Sequence, residues 1–168
     1  GSYGGVRIAA NTSLFVKIIS SGTPSLNMSF TTSADGTTWN SSSLISSTIN
    51  RGVDKLKWVN DRFIICGNNN TNSSGYMMYS LNGTTWADCV IPDATQINGV
   101  SNFYDVSYSF GKYYAVSNKG IFVSTDGVNF SRLSGYSHTA GSGFVPLYGI
   151  TNTSNKIITV GAGGAGGG

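Results

Sequence analysis

A seven-residue pattern, Ser-x-Asp/Asn-Gly-x-x-aromatic, occurs three times in this chain and constrains the fold more than any other feature. The copies span residues 33–39, 80–86 and 124–130, with spacings of 47 residues (35 to 82) and 44 residues (82 to 126). Asp-Gly and Asn-Gly between strand-like runs indicate tight β-hairpins, because Asn, Asp and Gly tolerate positive φ. The pattern therefore predicts three hairpins with type I′ turns inside a repeat of about 45 residues.

The residues of each copy have matching expected roles. The Ser and the Asp or Asn are expected to bond the backbone of the turn, the Gly to adopt the unusual backbone conformation, and the aromatic ring to cover the turn. The residues with these roles are Ser33, Asp35, Gly36, Trp39, Ser80, Asn82, Gly83, Trp86, Ser124, Asp126, Gly127 and Phe130. We expect them to be structural.

A second hairpin precedes each repeated turn. Strand-like runs flank short polar turns within 6–19, 56–67 and 106–117, and a fourth such pair lies within 148–161. No stretch shows sustained helical periodicity. Four short strands in about 40–45 residues are typical of a β-propeller blade. The sequence therefore predicts an all-β fold of four-stranded antiparallel blades, with about 3.5 blades in this chain.

The expected boundaries follow from the hairpins and from the polar connections between them. Blades are predicted at about 6–45, 54–92 and 104–134 and a half-blade at 147–160, all within one propeller region, 1–160. The Gly-rich residues 161–168 are predicted to be a tail or linker. Because an open arc leaves sheet faces and edges uncovered, we expect a homo-oligomer, such as two chains in one ring, or further blades of a longer chain.

The repeated turn resembles the Asp-box, or bacterial neuraminidase repeat, of sialidases and of many non-enzymatic propellers. The usual form, Ser/Thr-x-Asp-x-Gly-x-x-Trp, has a residue between Asp and Gly that all three copies lack. Asn82 and Phe130 depart from it as well. The resemblance implies a propeller in which these turns lie away from the functional face and support the structure of the blade.

Composition bears on which classes of function are expected. The chain has no Glu, and its one histidine is His138. The resemblance implies a Tyr nucleophile paired with Glu in a sialidase, and glycoside hydrolysis in general uses two carboxylates. We therefore expect a non-enzymatic protein and keep a sialidase-like hydrolase as the alternative. No Cys/His cluster has metal-ligand spacing, so neither metal nor cofactor is expected.

Charge and hydropathy argue against nucleic acid and membrane as partners. Charged residues are 10% of the chain and the basic ones are scattered, which argues against nucleic acid. No apolar run approaches the ~18 residues of a membrane span, so membrane insertion is not expected. Low charge with abundant Ser, Thr, Asn and Gly resembles phage or viral fibre and surface proteins. That resemblance indicates an extracellular or virion-surface location.

Candidate ligand-binding residues lie in the blade-to-blade connections and middle hairpin loops, which share one face of a propeller. Those residues are Arg51, Asp54, Asn69, Asn70, Tyr104, Asp105 and His138. Amide and guanidinium groups suit sugar hydroxyls, and aromatic faces stack on sugars. The sequence predicts recognition of a glycan or a surface protein receptor, or a structural role in an extracellular or virion assembly. A protein-binding assembly factor is the other alternative.

Overall fold

The computed structural model describes residues 5–20, 28–40, 43–45, 51–91, 99–134, 139–140, 143–144 and 146–162. In these ranges the chain forms strands and turns. None of the described segments is a helix with the length and apolar character needed to cross a membrane. The expected Gly-rich tail lies outside the described residues from residue 163 onward.

Three four-stranded antiparallel sheets follow one another along the chain, each with its strands in sequence order. The first sheet consists of β1 (Gly5–Ala10), β2 (Phe15–Ser20), β3 (Met28–Ser33) and β4 (Ser43–Ile45). The second consists of β5 (Arg51–Val59), β6 (Arg62–Asn69), β7 (Ser74–Ser80) and β8 (Ala87–Asp88). The third consists of β9 (Phe103–Ser109), β10 (Lys112–Ser117), β11 (Gly120–Ser124) and β12 (Ser131–Arg132). Each sheet is a four-stranded meander, the arrangement of a propeller blade.

Two short sheets complete the described part of the chain. Strands β13 (Thr139–Ala140) and β14 (Gly143–Phe144) form a small hairpin. Strands β15 (Leu147–Asn152) and β16 (Ile157–Gly161) form a second, longer pair, which we call the half-blade. The predicted all-β, partial propeller fold is confirmed. The second blade begins at Arg51, earlier than the predicted residue 54.

The first strands of the blades lie side by side at the inner edge of the arc. Strand β1 contacts β5, β5 contacts β9, and β9 contacts β15. Polar contacts cross all three of these junctions, and Lys57 of β5 forms an ion pair with Asp105 of β9 at 2.6 Å. Arg7 Nε donates to the Asp54 carbonyl at 3.2 Å, and Ser107 Oγ donates to Asn152 Oδ1 at 2.7 Å. These inner strands therefore define the propeller axis.

Apolar side chains pack between each blade and the next in three clusters. The cluster between the first two blades contains Val16, Ile18, Met28, Phe30, Leu56, Phe63, Ile65, Tyr76 and Met78. The cluster between the second and third contains Val59, Ile64, Cys66, Met77, Val100, Phe103, Val106, Tyr113, Ala115, Phe122 and Phe130. The cluster between the third blade and the half-blade contains Val116, Ile121, Leu147 and Ile150. Successive side chains of a strand thus pack against different blades, because side chains alternate between the two faces of a sheet.

The three repeated turns share one hydrogen-bond pattern. In each, the Ser hydroxyl donates to the side-chain oxygen of Asp or Asn and accepts from the Gly N–H at 2.8–2.9 Å. The same side-chain oxygen accepts from the two backbone N–H groups that follow the Gly. These bonds, the strongest from the Thr38 N–H, hold the pKa of the exposed Asp35 well below its usual range.

The backbone of these turns corrects one prediction. Gly36, Gly83 and Gly127 have φ of 77°, 74° and 67°, whereas the Asp or Asn before each has negative φ. The predicted type I′ geometry, which needs positive φ at both positions, is therefore wrong. The physical reason for the difference is that the side-chain oxygen of Asp or Asn accepts hydrogen bonds from two backbone N–H groups. Only the Gly then adopts the left-handed backbone conformation.

The aromatic residue of the repeated turn reaches the preceding blade. Trp86 donates from Nε1 to the Gly83 carbonyl at 3.2 Å, and its ring stacks on Phe30 of the first blade with centroids 4.8 Å apart. Phe130 is fully buried between the second and third blades. In the first blade, Trp39 lies beneath the Lys17 ammonium at 4.2 Å. In the second and third blades the turn aromatic thus packs against the preceding blade.

A charged cluster links the second and third blades at the end that carries the repeated turns. The Arg62 guanidinium donates to both oxygens of Asp61, at 2.8 and 3.1 Å, and contacts the rings of Tyr79 and Tyr113. Tyr113 Oη also donates to Asp61. The Arg62 hydrogen bond lowers the pKa of Asp61 to about 2. Asp61 therefore stays ionised near neutral pH and holds Tyr113 of the next blade.

We predict that Phe110→Asn stabilises the protein. Phe110 and Gly111 connect β9 to β10 with φ of 51° and 73°, and the Phe110 side chain is 55% exposed. A left-handed backbone disfavours Phe more than Asn, so the free energy of unfolding should rise by about 1 kcal/mol.

The matched control is Gly111→Ala. A Cβ at Gly111 would meet no atom within 4 Å, so only backbone strain acts there. The free energy of unfolding should fall by about 1 kcal/mol. Urea denaturation measures both, and a lower midpoint for Phe110→Asn would contradict the reasoning.

Candidate ligand-binding site

A cleft of about 220 Å³ lies at the end of the second blade where β5 begins and β6 ends. It is lined by Arg51, Asn69, Ser74, Gly75, Tyr76, Met77, Asp88, Cys89 and Ile91. Two of the predicted ligand-binding residues, Arg51 and Asn69, are in this lining and face each other in the β5–β6 register. The two-stranded pairing brings together residues that are distant in sequence, and the cleft is the candidate site.

Arg51 is buried across the face of the second blade and holds Asp88 in place. Its side chain donates to both oxygens of Asp88, with Nη1 to Oδ1 at 2.7 Å and Nη2 to Oδ2 at 3.0 Å. Nη1 also lies 3.1 Å from the Met78 sulfur, and the guanidinium is 4.8 Å from the Tyr76 ring centre. A bidentate pair of this kind fixes the orientation of the carboxylate.

The two partners of this ion pair differ in exposure. The Arg51 side chain is 9% exposed, whereas that of Asp88 is 58% exposed. Arg51 Nε is buried and has no hydrogen-bond partner. Asp88 lies on β8 opposite Met78, at the outer edge of the sheet. The cleft therefore presents the Asp88 carboxylate to solvent and keeps the Arg51 cation beneath it.

The loop between β6 and β7 forms the polar wall of the cleft. Asn69 Oδ1 accepts from the Thr71 N–H at 3.0 Å, and Asn72 Oδ1 accepts from Ser74 Oγ at 2.6 Å. Asn70, predicted as a ligand residue, accepts a hydrogen bond from Asn68 and does not line the cleft. Part of the hydrogen-bonding capacity of these Asn side chains is thus used within the loop itself.

The structure places Asp54 and Tyr104 outside the cleft. Asp54 is exposed at a bulge in β5, where the register shifts between Val53 and Lys55. Tyr104 packs edge to face against Tyr148 of the half-blade, with centroids 4.9 Å apart. Burial is the main cause that raises the pKa of Tyr104. Neither residue lines the cleft, although Asp54 is on the same strand as Arg51.

Asp105 is a buried structural residue. Its Oδ1 is 2.6 Å from Lys57 Nζ, and its oxygens accept from the N–H groups of Val106 and Ile150, the latter at 3.2 Å. The carboxylate is 8% exposed. It therefore joins the inner strands of the second blade, the third blade and the half-blade, and these contacts occupy the oxygens that a ligand would need.

His138, the remaining predicted site residue, lies outside the described residues. Reasoning from sequence missed Asp88 as the partner of Arg51 and missed Tyr76 as part of the lining of the cleft. The pair spans 37 positions in sequence and forms only because β8 pairs with β7. No local pattern points to it.

Other chemistry in the described part of the chain is sparse. No group of three or more His, Cys, Asp or Glu residues there is arranged to hold a metal ion. Both cysteines, Cys66 and Cys89, are free thiols. Burial raises the pKa of Cys89 to about 12 and that of Cys66 well above its usual value, so both stay protonated near neutral pH.

Comparison with known proteins places the fold among propellers. No protein-family model matches the sequence, and no curated protein matches it. The structure is similar to a mutant of the GH32 beta-fructofuranosidase BmSUC1 from Bombyx mori in complex with sucrose. The TM-score is 0.50 and the identity 17%, over 95% of this chain and 42% of that one.

A second structure of the Bombyx mori GH32 beta-fructofuranosidase BmSUC1 matches with a TM-score of 0.49 and 15% identity, over 92% of this chain and 40% of that one. The chain thus spans less than half the length of either structure. The first similarity, to a five-bladed propeller, supports the propeller fold of this chain.

We predict that Asp105→Asn destabilises the protein without affecting a ligand. The substitution leaves Lys57 without its carboxylate, but Lys57 is 34% exposed and regains water, so the loss should be about 2 kcal/mol. Asp54→Asn, at an exposed carboxylate of a neighbouring strand, is the control and should stay within about 0.5 kcal/mol of the parent. Equal stability of the two variants in urea denaturation would show that Asp105 is not structural.

Proposed function

We propose that this chain is part of a non-enzymatic β-propeller that recognises carbohydrate through the cleft of the second blade. The observation that carries the proposal is the bidentate Arg51–Asp88 pair, with its cation buried and its carboxylate exposed at the cleft. A carboxylate fixed in this way is ready to accept hydrogen bonds from neighbouring sugar hydroxyls without paying further ordering entropy.

The lining of the cleft complements this carboxylate. Ser74 supplies a hydroxyl and Asn69 an amide, and both residues flank the loop between β6 and β7. Ile91, which is partly buried, supplies apolar surface for the carbon face of a sugar ring. A few placed polar groups on an apolar wall are what small-ligand sites use to fix orientation.

The charge arrangement specifies a neutral sugar. An acidic sugar such as sialic acid would bring its carboxylate towards Asp88, while the Arg51 guanidinium that could neutralise it is already bonded and buried. Like charges disfavour that complex. We therefore propose neutral glycans as the ligand class.

The repeated turns support a propeller of Asp-box type as part of the same proposal. Each turn uses its Ser and its Asp or Asn to bond its own backbone, and two of the turn aromatics pack against the preceding blade. These are structural roles. The low charge and high Ser, Thr, Asn and Gly content support an extracellular or virion-surface setting.

A sialidase-like hydrolase is the less supported alternative. The described residues that line the cleft include one carboxylate, that of Asp88. Glycoside hydrolysis canonically uses two carboxylates. The proposal therefore assigns Asp88 to binding.

The test is a glycan array with neutral and sialylated glycans, followed by calorimetric titration of the best neutral glycan. Asp88→Asn and Ser74→Ala should each weaken binding by about 10-fold, the effect of one lost hydrogen bond to a charged or polar group. Asp54→Asn, an exposed carboxylate outside the cleft, should bind as the parent does.

Three results would contradict the proposal. They are no binding on a broad array, a preference for sialylated glycans, and unchanged binding by Asp88→Asn. Turnover of fluorogenic glycosides that Asp88→Asn abolishes would establish the hydrolase instead.

A further inference from the structure

The two end faces of the arc carry apolar side chains at positions that are buried everywhere else in the fold. We call the side of a blade that contacts the blade before it in the chain its preceding face, and the opposite side its following face. The preceding face of the first blade and the following face of the half-blade have no neighbour among the described residues. Comparison of equivalent positions shows what kind of neighbour each one fits.

The preceding face can be compared at the residue of the second strand that pairs with the first Ser of the repeated turn. In the second and third blades this residue is Phe63 or Tyr113, which are 0% and 2% exposed against the preceding blade. In the first blade it is Phe15, which is 36% exposed. An aromatic side chain therefore occupies an inter-blade position without a neighbour.

The inner strands give the same result. Ile8 of β1 is 56% exposed. Its equivalents by strand register, each on the preceding face of its own blade, are Leu56, Val106 and Ile150, with exposures of 5%, 0% and 4%. Each of these three is buried in the cluster with the preceding blade.

The following face shows the complementary pattern. Val160 of the half-blade is 61% exposed, and Ile158 on the same strand is 45% exposed. The equivalents of Val160 in the three blades are Ile18, Cys66 and Val116, all 0% exposed. Within each inter-blade cluster, these residues share the interior with the equivalents of Ile8. Among the described residues, Val160 therefore has no following blade whose residue at the position of Ile8 could cover it.

The repeated turns also leave room for a neighbour before the first blade. A Cβ at Gly83 would lie 3.1 Å from Leu14, and one at Gly127 would lie 3.1 Å from Arg62, each in the preceding blade. At Gly36 the nearest atoms are those of Phe15 in its own blade, at 3.7 Å. The first repeated turn has the same geometry as the others but lacks that contact.

The width of the apolar surface indicates which neighbour fits. On the preceding faces of the second and third blades, the third strand contributes Met78 and Phe122 respectively. The third strand of the first blade instead contributes Ser29 and Thr31. Among the side chains of the first blade whose exposure the structure describes, the exposed apolar ones on this face lie on the two inner strands, at Val6, Ile8, Phe15 and Ile19. Such a surface matches a neighbour with two strands, not four.

The half-blade is a two-stranded unit of this kind. Its following face carries the exposed Ile158 and Val160, both on β16. We infer that the half-blade of one copy packs on the first blade of a second copy, head to tail, through β15–β16 against β1–β2. Val160 of one chain then meets Ile8 of the other, as Val116 meets Ile150 within one chain. Repetition of this contact closes the arcs into a ring.

The experiment measures the mass of the 168-residue chain by light scattering across protein concentrations, for the parent and for three variants. Ile8→Asp and Val160→Lys each place a charge in the contact and should reduce the mass to that of a monomer. Both side chains are exposed in the single chain, so far-UV circular dichroism should be unchanged. Leu81→Asp, at a residue 63% exposed in a repeated turn, is the control and should keep the mass of the parent.

The double variant Ile8→Asp with Val160→Lys tests the head-to-tail geometry. Opposite charges then meet at every contact, so the oligomer should re-form, and the restored mass should fall as salt is added. A monomeric parent, or single variants that keep the mass of the parent, would overturn the inference. Failure of the double variant to regain the oligomer would overturn the pairing of Ile8 with Val160.

Discussion

Burial of both sheet faces between neighbouring blades is the interaction on which this structure depends. In β6, Phe63 and Ile65 face the first blade and Ile64 and Cys66 face the third, and all four are 0% exposed. Complete burial of one such aliphatic or aromatic side chain stabilises the fold by about 1.5–3 kcal/mol. Short antiparallel sheets have little stability alone, so each blade depends on its neighbours.

The repeated turn serves this packing. Its side-chain oxygen and Gly allow the chain to reverse tightly, and the aromatic residue that follows is carried to the preceding blade, as Trp86 is to Phe30. The sequence interval between successive copies of the motif therefore corresponds to the length of one blade. That is why a pattern without catalytic chemistry specifies so much of the architecture.

Sequence reasoning predicted the repeat, the four-stranded blades and the half-blade because each of these rests on local alternation and turn chemistry. It failed where the outcome depended on contacts between strands. The Arg51–Asp88 pair needs the whole width of the second blade, and the role of Asp105 is set by Lys57 and Ile150 on two other inner strands. Arg51 and Asn69 were predicted from their place at one end of the blade, and the structure brings both to the cleft.

Amide hydrogen exchange as a function of protein concentration tests whether a blade is stable only when both of its faces are covered. Amides of β6 should exchange slowly at every concentration. Amides of β2 and β16, the strands that carry the two end faces, should gain protection as the protein concentration rises. Protection of β2 and β16 that equals that of β6 and does not change with concentration would show that a blade is stable with one face uncovered.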